Sequence, residues 1–122
     1  MLKRIEMDER TSLMQQLAND EAPVVLLNIF KVAPEDADTL LEVWTTDAAL
    51  LKDKPGFVST QLHRGIAGSS TFFNYAVWES VEAFRAAFAD PAFQANFANY
   101  PDSTVASPHL FTKVAVPGIT EG

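Results

Sequence analysis

Asn74 and Trp78 lie four apart in the run Thr71-Phe72-Phe73-Asn74-Tyr75-Ala76-Val77-Trp78-Glu79. Side chains alternate along an extended chain, so both project from one face. Asn28 interrupts a second apolar run, Val24 to Val32, in the same manner. A buried amide and an indole N–H each demand partners, so these residues are either satisfied core groups or the few polar contacts of an apolar ligand pocket. Other residues able to do chemistry are sparser. His63 and His109 are far apart with no ligand spacing around them, which favours edge-strand or surface positions over a metal centre. Gly65 to Gly68 lacks the Lys-Ser/Thr of a phosphate loop and reads as a hairpin turn. Glu35, Asp36, Asp38 and Glu42 are most simply a solvated helix start favoured by the macrodipole, and no carboxylate pair stands out for acid–base work. Phe84, Phe88, Phe93 and Phe97 suit a core and could also line a flat aromatic ligand. No nucleophile–base motif is present.

These residues sit in a chain of 122 residues, the length of one domain, with 48% hydrophobic and 20% charged residues. That composition supplies enough apolar surface to offset ordering entropy and excludes disordered and low-complexity classes. Sixteen acidic against nine basic residues give a net charge of −7, which disfavours nucleic acid and anionic membrane surfaces as partners. Without cysteine there is no disulfide framework, thiol nucleophile or thiolate metal site. The opening Met1-Leu2-Lys3-Arg4-Ile5-Glu6 turns acidic before any signal-like apolar stretch, and the apolar segment Val24 to Phe30 is too short to span a bilayer. A soluble, cytoplasmic protein is expected.

The elements that must position the polar residues follow from periodicity and punctuation. Residues 1–22 read as an arm, with a short helix carrying Leu13, Met14 and Leu17 behind caps at Thr11 and Ser12. Residues 23–117 read as the folded domain and 118–122 as a tail. Val24 to Val32 predicts a strand buried on both faces. Pro34, Glu35 and Asp36 open a helix with an apolar stripe of Leu40, Val43, Trp44, Ala48 and Leu51, stopped by Pro55-Gly56. Phe57 to Arg64 and Thr71 to Glu79 form a hairpin. Ser80 caps a helix with Val81, Phe84 and Phe88, and Asp90-Pro91 starts another helical turn. Val105 to Val116 closes the pattern as a strand. This βαββαβ order predicts an α+β, ferredoxin-like fold, a four-stranded antiparallel sheet with both helices on one face.

Alternation places Leu26, Asn28, Phe30, Phe72, Asn74, Ala76 and Trp78 on one sheet face and Val25, Leu27, Ile29, Phe73, Tyr75 and Val77 on the other. The face without helices would expose roughly 600 Å² of apolar surface, at the upper end of what monomers tolerate. A homodimer through this face is expected; coverage by the arm is the weaker alternative, because the arm supplies few large apolar groups.

Val25-Leu26-Leu27-Asn28-Ile29-Phe30, Pro55-Gly56-Phe57-Val58 and Asn74-Tyr75-Ala76-Val77-Trp78-Glu79-Ser80-Val81-Glu82-Ala83-Phe84 resemble the antibiotic biosynthesis monooxygenase family of dimeric α/β-barrel proteins, over about residues 22 to 116. Two activities follow from that resemblance. Quinol-forming polyketide monooxygenases oxidise a fused-ring phenol with O2 and no metal or flavin, using an Asn four residues before the strand Trp, a spacing that Asn74 and Trp78 match. Haem-degrading members use an Asn on the first strand, matched by Asn28, the same Trp, and an axial His where Phe97 stands here. The resemblance therefore implies a cofactor-independent monooxygenase acting on a small or polycyclic aromatic phenol, with no cofactor and no metal. Asn28, Asn74 and Trp78 would be catalytic, and Phe30, Trp44, Phe72, Phe84, Phe88 and Phe97 would contact the substrate. His63, His109 and Tyr75 are open as bases, although alternation puts Tyr75 on the opposite face. A non-catalytic dimeric small-molecule-binding protein and a haem-binding or haem-degrading protein are the alternatives.

Overall fold

A computed structural model describes residues 1–120. Its elements are β1 (Lys3–Arg4), α1 (Leu13–Leu17), β2 (Val24–Lys31), α2 (Ala37–Leu51), β3 (Phe57–Arg64), β4 (Thr71–Trp78), α3 (Val81–Phe88), α4 (Pro91–Asn96) and β5 (Val105–Phe111). Single 3-10 turns precede α2 at Pro34–Asp36 and follow α4 at Phe97–Asn99. Local chemistry starts the helices. Ser12 and Gln15 form a reciprocal capping box on α1, Ser80 Oγ accepts the Ala83 N–H at 3.0 Å, and Asp90 accepts from Ala92 and Phe93. The Pro-Gly-Phe step after α2 is architectural. Gly56 has φ +84° and a Cβ there would stand 2.3 Å from the Ala83 Cβ, so glycine is required twice over.

The sheet order is β1-β5-β2-β4-β3, with β1 parallel to β5 and the other pairs antiparallel. The α+β ferredoxin-like arrangement is thus present with one more strand than the sequence predicts. Lys3–Arg4 pairs with Val105 and Ala106, a strand too short to show periodicity. β5 is also shorter than expected, ending at Phe111 opposite Val25, because β2 reaches its own end there and offers no further partner. Residues 112–120 are exposed. Of the tail expected at 118–122, residues 121 and 122 lie outside the described residues.

The arm packs against this unit. Leu13 and Leu17 of α1 join Val24, Leu26, Val81, Phe84, Ala87 and Leu110 in one core cluster. The Gln16 amide bonds both backbone groups of Leu110, donating to the carbonyl and accepting the N–H, each at 2.9 Å, so a side chain continues the edge pairing that β1 begins. The arm therefore closes the β5 edge and one end of the helix side. On the other face, Val25, Leu27, Ile29, Phe73 and Val77 are half-buried and Tyr75 is 38% exposed. The margin of this face at His109 and Phe111 is flanked by the arm, at Met7 to Arg10. Among the described residues, no helix is long and apolar enough to cross a membrane.

Under the helices the core is split in two. One cluster centres on Trp78, Phe84 and Leu26, the other on Phe30, Phe72, Leu40 and Tyr100. Register explains the division: Asn28 stands opposite Asn74 on one side and Pro108 on the other, a polar row across the middle of the sheet.

Candidate functional site

The gap between the two clusters is a cavity. Its floor is Leu26, Asn28, Phe30, Asn74, Ala76, Trp78, Ala106 and Pro108; its roof is Trp44, Asp47, Ala48 and Leu51 of α2. Phe84, Phe88, Phe93, Phe97 and Tyr100 close the sides, with Leu2 and Arg4 from the arm. Small residues at 48, 76 and 106 leave the space that larger side chains would fill. The free volume is about 720 Å³ with the open mouth included.

Two buried polar atoms on residues that line this space have no hydrogen-bond partner, Asn28 Oδ1 and Trp78 Nε1. Pro108, opposite Asn28 on one side, has no N–H to offer, and Asn74, opposite on the other, accepts the Thr60 hydroxyl on its Oδ1 at 2.5 Å. The Trp78 ring is fixed edge-on by Phe57 and Phe84, at centroid distances of 5.4 and 5.7 Å, and is 1% exposed. An unsatisfied buried N–H or amide oxygen costs about 1–3 kcal/mol, so this pair of atoms is arranged for a guest that accepts one hydrogen bond and donates another.

The roof carries a charge that the sequence reading passed over. Asp47 is 6% exposed; its Oδ1 accepts from Asn96 Nδ2 at 2.7 Å and its Oδ2 accepts the Tyr100 hydroxyl at 2.5 Å. Asn96 also donates to the Val43 carbonyl at 3.1 Å and accepts from Asn99 at 2.9 Å. Burial pushes the Asp47 carboxyl above its ordinary range, and the bonds from Tyr100 and Asn96 offset this only in part. Tyr100, buried and beside that carboxylate, is held firmly protonated. The signal was available: position 47 lies three and four residues from Trp44 and Val43 and four before Leu51, within the apolar stripe of α2.

Of the expected site residues, Asn28, Asn74, Trp78, Phe30, Trp44, Phe84, Phe88 and Phe97 line the cavity. Phe72, expected as a substrate contact, does not. It is 1% exposed within the second cluster, with the Arg64 guanidinium 4.9 Å over its ring. Phe57, Phe93, Thr60, Tyr100, Asp47, Leu2 and Arg4 also line it and are outside that set. The three residues entertained as bases all belong to the opposite face. His63 stacks on Phe73 at 4.3 Å, Tyr75 is exposed, and His109 lies across from Leu27. Of the edge-strand or surface positions expected for His109, the structure gives the strand: it lies on β5, 8% exposed and 3.0 Å from the Gln16 amide.

A haem site fits poorly here. None of the described residues lining the cavity is His, Cys or Met, and Phe97, where an axial ligand would be required, packs edge-on against Phe93 at 5.0 Å. Tyr100, the remaining oxygen donor of the side wall, is engaged by Asp47.

Over 76 residues the chain is 43% identical to tetracenomycin-F1 monooxygenase of Streptomyces glaucescens, a match covering 59% of this chain and 64% of that protein. The chain thus spans somewhat less than two thirds of that relative's length. A mycobilin-producing heme oxygenase of Mycobacterium tuberculosis is 34% identical over 74 residues, 61% of this chain and 70% of that one. Among solved structures, SnoaB, a cofactor-independent oxygenase from Streptomyces nogalater, superposes with a TM-score of 0.67 at 28% identity, covering 80% of this chain and 99% of that one. The sequence profile of antibiotic biosynthesis monooxygenases matches residues 23–99, well over half of the chain. The fold, the cavity and this match together establish that the chain belongs to the antibiotic biosynthesis monooxygenase family.

Proposed function

We propose that this protein is a cofactor-independent monooxygenase that oxidises a polycyclic or small aromatic phenol with O2, acting as a homodimer. The observation that carries the reading is the unpartnered pair Trp78 Nε1 and Asn28 Oδ1 in an aromatic cavity. A hydroxyketone of a fused-ring system offers an oxygen to the indole N–H and a hydroxyl to the amide oxygen. The likeness to tetracenomycin-F1 monooxygenase and to SnoaB supports the same substrate class. The haem alternative gains nothing from the cavity wall, which lacks an imidazole.

The chemistry needs little from the protein. Once deprotonated, an anthrone-type carbon acid is electron-rich enough to reduce O2 itself; its CH2 becomes C=O, one oxygen atom is retained, and the other leaves with the two hydrogens as water. The cavity's contribution is to exclude bulk water, hold the rings flat between sheet and helix, and stabilise the oxyanion as it forms through the Trp78 N–H. Dimerisation through Val25, Leu27, Ile29, Phe73, Tyr75 and Val77 would cover the apolar sheet face remote from the cavity.

Oxygen uptake by purified protein with a panel of anthrones and naphthols tests the reading. Turnover is expected, with Trp78→Phe slower by about 100-fold because one oxyanion donor is lost while the ring is kept. No oxygen consumption across the panel would overturn it.

A further inference from the structure

The oxidation begins with loss of a proton, and none of the groups first considered as bases reaches the cavity. Asp47 does. Trp44, Asp47, Ala48 and Leu51 occupy successive turns of one α2 stripe and all four line the roof, facing the row that carries Asn28 and Asn74. The titratable or charged side chains in the lining are Asp47 and Tyr100 on the helix side and Arg4 from β1. Asn96 faces the carboxylate from α4 as a neutral donor. Each carboxylate oxygen accepts one hydrogen bond, from Asn96 or from Tyr100, which leaves a lone-pair site open on each.

Architecture calls for an acceptor at this position but not for a charge. Asn96 already ties α4 to α2 through the Val43 carbonyl, and a neutral amide could accept the Tyr100 hydroxyl without the cost of keeping a charge among aromatic rings. A carboxylate kept in a water-poor cavity and oriented by two donors has the attributes of a general base. Burial raises its proton affinity.

We propose that Asp47 is the general base of the oxygenase reaction, taking a proton from an anthrone-type substrate held between α2 and the sheet while Trp78 Nε1 receives the oxyanion. This rests on the oxygenase reading above. In the step, the substrate C–H bond, or the O–H of its enol tautomer, breaks; an O–H bond forms on Asp47; the electron pair stays on the substrate as its enolate. Nothing is oxidised until O2 reacts with that anion. Tyr100 and Asn96 are positioning residues that hold the carboxylate and tune its affinity for the proton.

Because the step precedes oxygen, it can be observed without it. Under strict anaerobiosis in D2O, the protein should catalyse deuterium incorporation into the methylene group of anthrone, followed by NMR. Asp47→Asn should slow exchange by about 100-fold or more, and Asp47→Glu should restore part of it. Wild-type rates in Asp47→Asn, or no exchange catalysed by the wild type, would overturn the proposal. Oxygen uptake measured separately on the same samples distinguishes failures: exchange without uptake keeps the base and discards the oxygenase, whereas uptake without exchange does the reverse. Should Asp47→Asn not fold, Tyr100→Phe serves. It removes a hydrogen bond that favours the ionised carboxylate, so the acid limb of the exchange rate must move to higher pH, and an unmoved limb would overturn the proposal.

Discussion

At Asp47 stability and activity pull in opposite directions. Its carboxyl is raised above the ordinary range chiefly by burial, so the native state binds this proton more tightly than the unfolded chain does. The sign follows: as pH rises through the window between the ordinary carboxylate value and the raised native one, this group's contribution to stability falls, and above the window the native state carries an ionised buried charge. Asp47→Asn should therefore gain stability relative to wild type as pH rises above the ordinary carboxylate range, a trend that thermal or urea melts over a pH series would reveal. A difference independent of pH would show that the carboxylate is not perturbed. Asn28, Asn74 and Trp78 were legible in the sequence because polar residues inside apolar strands are conspicuous and alternation fixes their face. Asp47 was missed although the same logic applies to a helix: an acid within a 3–4 spaced apolar stripe is as anomalous as an amide within a strand. Phe72 was misassigned for a subtler reason. Alternation gives a face, but whether a residue on that face meets empty space or a packed neighbour depends on which helix crosses above it.

The elements from β2 to α4 follow punctuation that the chain carries openly, namely Pro34, Pro55-Gly56, Ser80 and Asp90-Pro91. The arm is different. Its strand is two residues long, below the length at which periodicity carries information, whereas its helix lies where the spacing of Leu13, Met14 and Leu17 and the Ser12 cap place it. What fixes the arm on the domain is tertiary: Leu13 and Leu17 enter the Trp78 cluster, and Gln16 takes the place of a strand against Leu110. Removing that amide should matter more than its partly exposed setting suggests. Gln16→Ala is expected to cost about 1–2 kcal/mol for two backbone bonds, read as a lowered midpoint in denaturant, with hydrogen exchange of the Leu110 amide accelerated before that of β2. Equal protection of Leu110 in the variant would mean that the contact contributes nothing. Since Leu2 and Arg4 also line the cavity, β1 affects the site as well as the edge.

For the whole molecule the unresolved demand is the open sheet face. Two such faces packed together would bury roughly 1,200 Å² in total, the lower bound for a stable specific interface, which is consistent with a dimer that assembles from folded protomers. Light scattering at micromolar concentration should give the mass of two chains. Tyr75→Asp, which places a charge in the middle of that face, should give the mass of one with unchanged far-UV circular dichroism. A monomeric wild type would dismiss the interface. The sealed β5 edge then acquires a second meaning. An open-ended polymer grows when each added copy presents a fresh, equivalent docking site, as an unpaired strand edge does. Here β1 and the Gln16 amide occupy one edge of the sheet, and the other, β3, is interrupted by a register shift between Phe57 and Ser59. Association through the proposed interface would be directed away from the edges and onto a face, where a two-fold pairing uses up the surface that made it. Such an assembly would have a stopping rule: two copies complete it, and a third finds nothing left to bind.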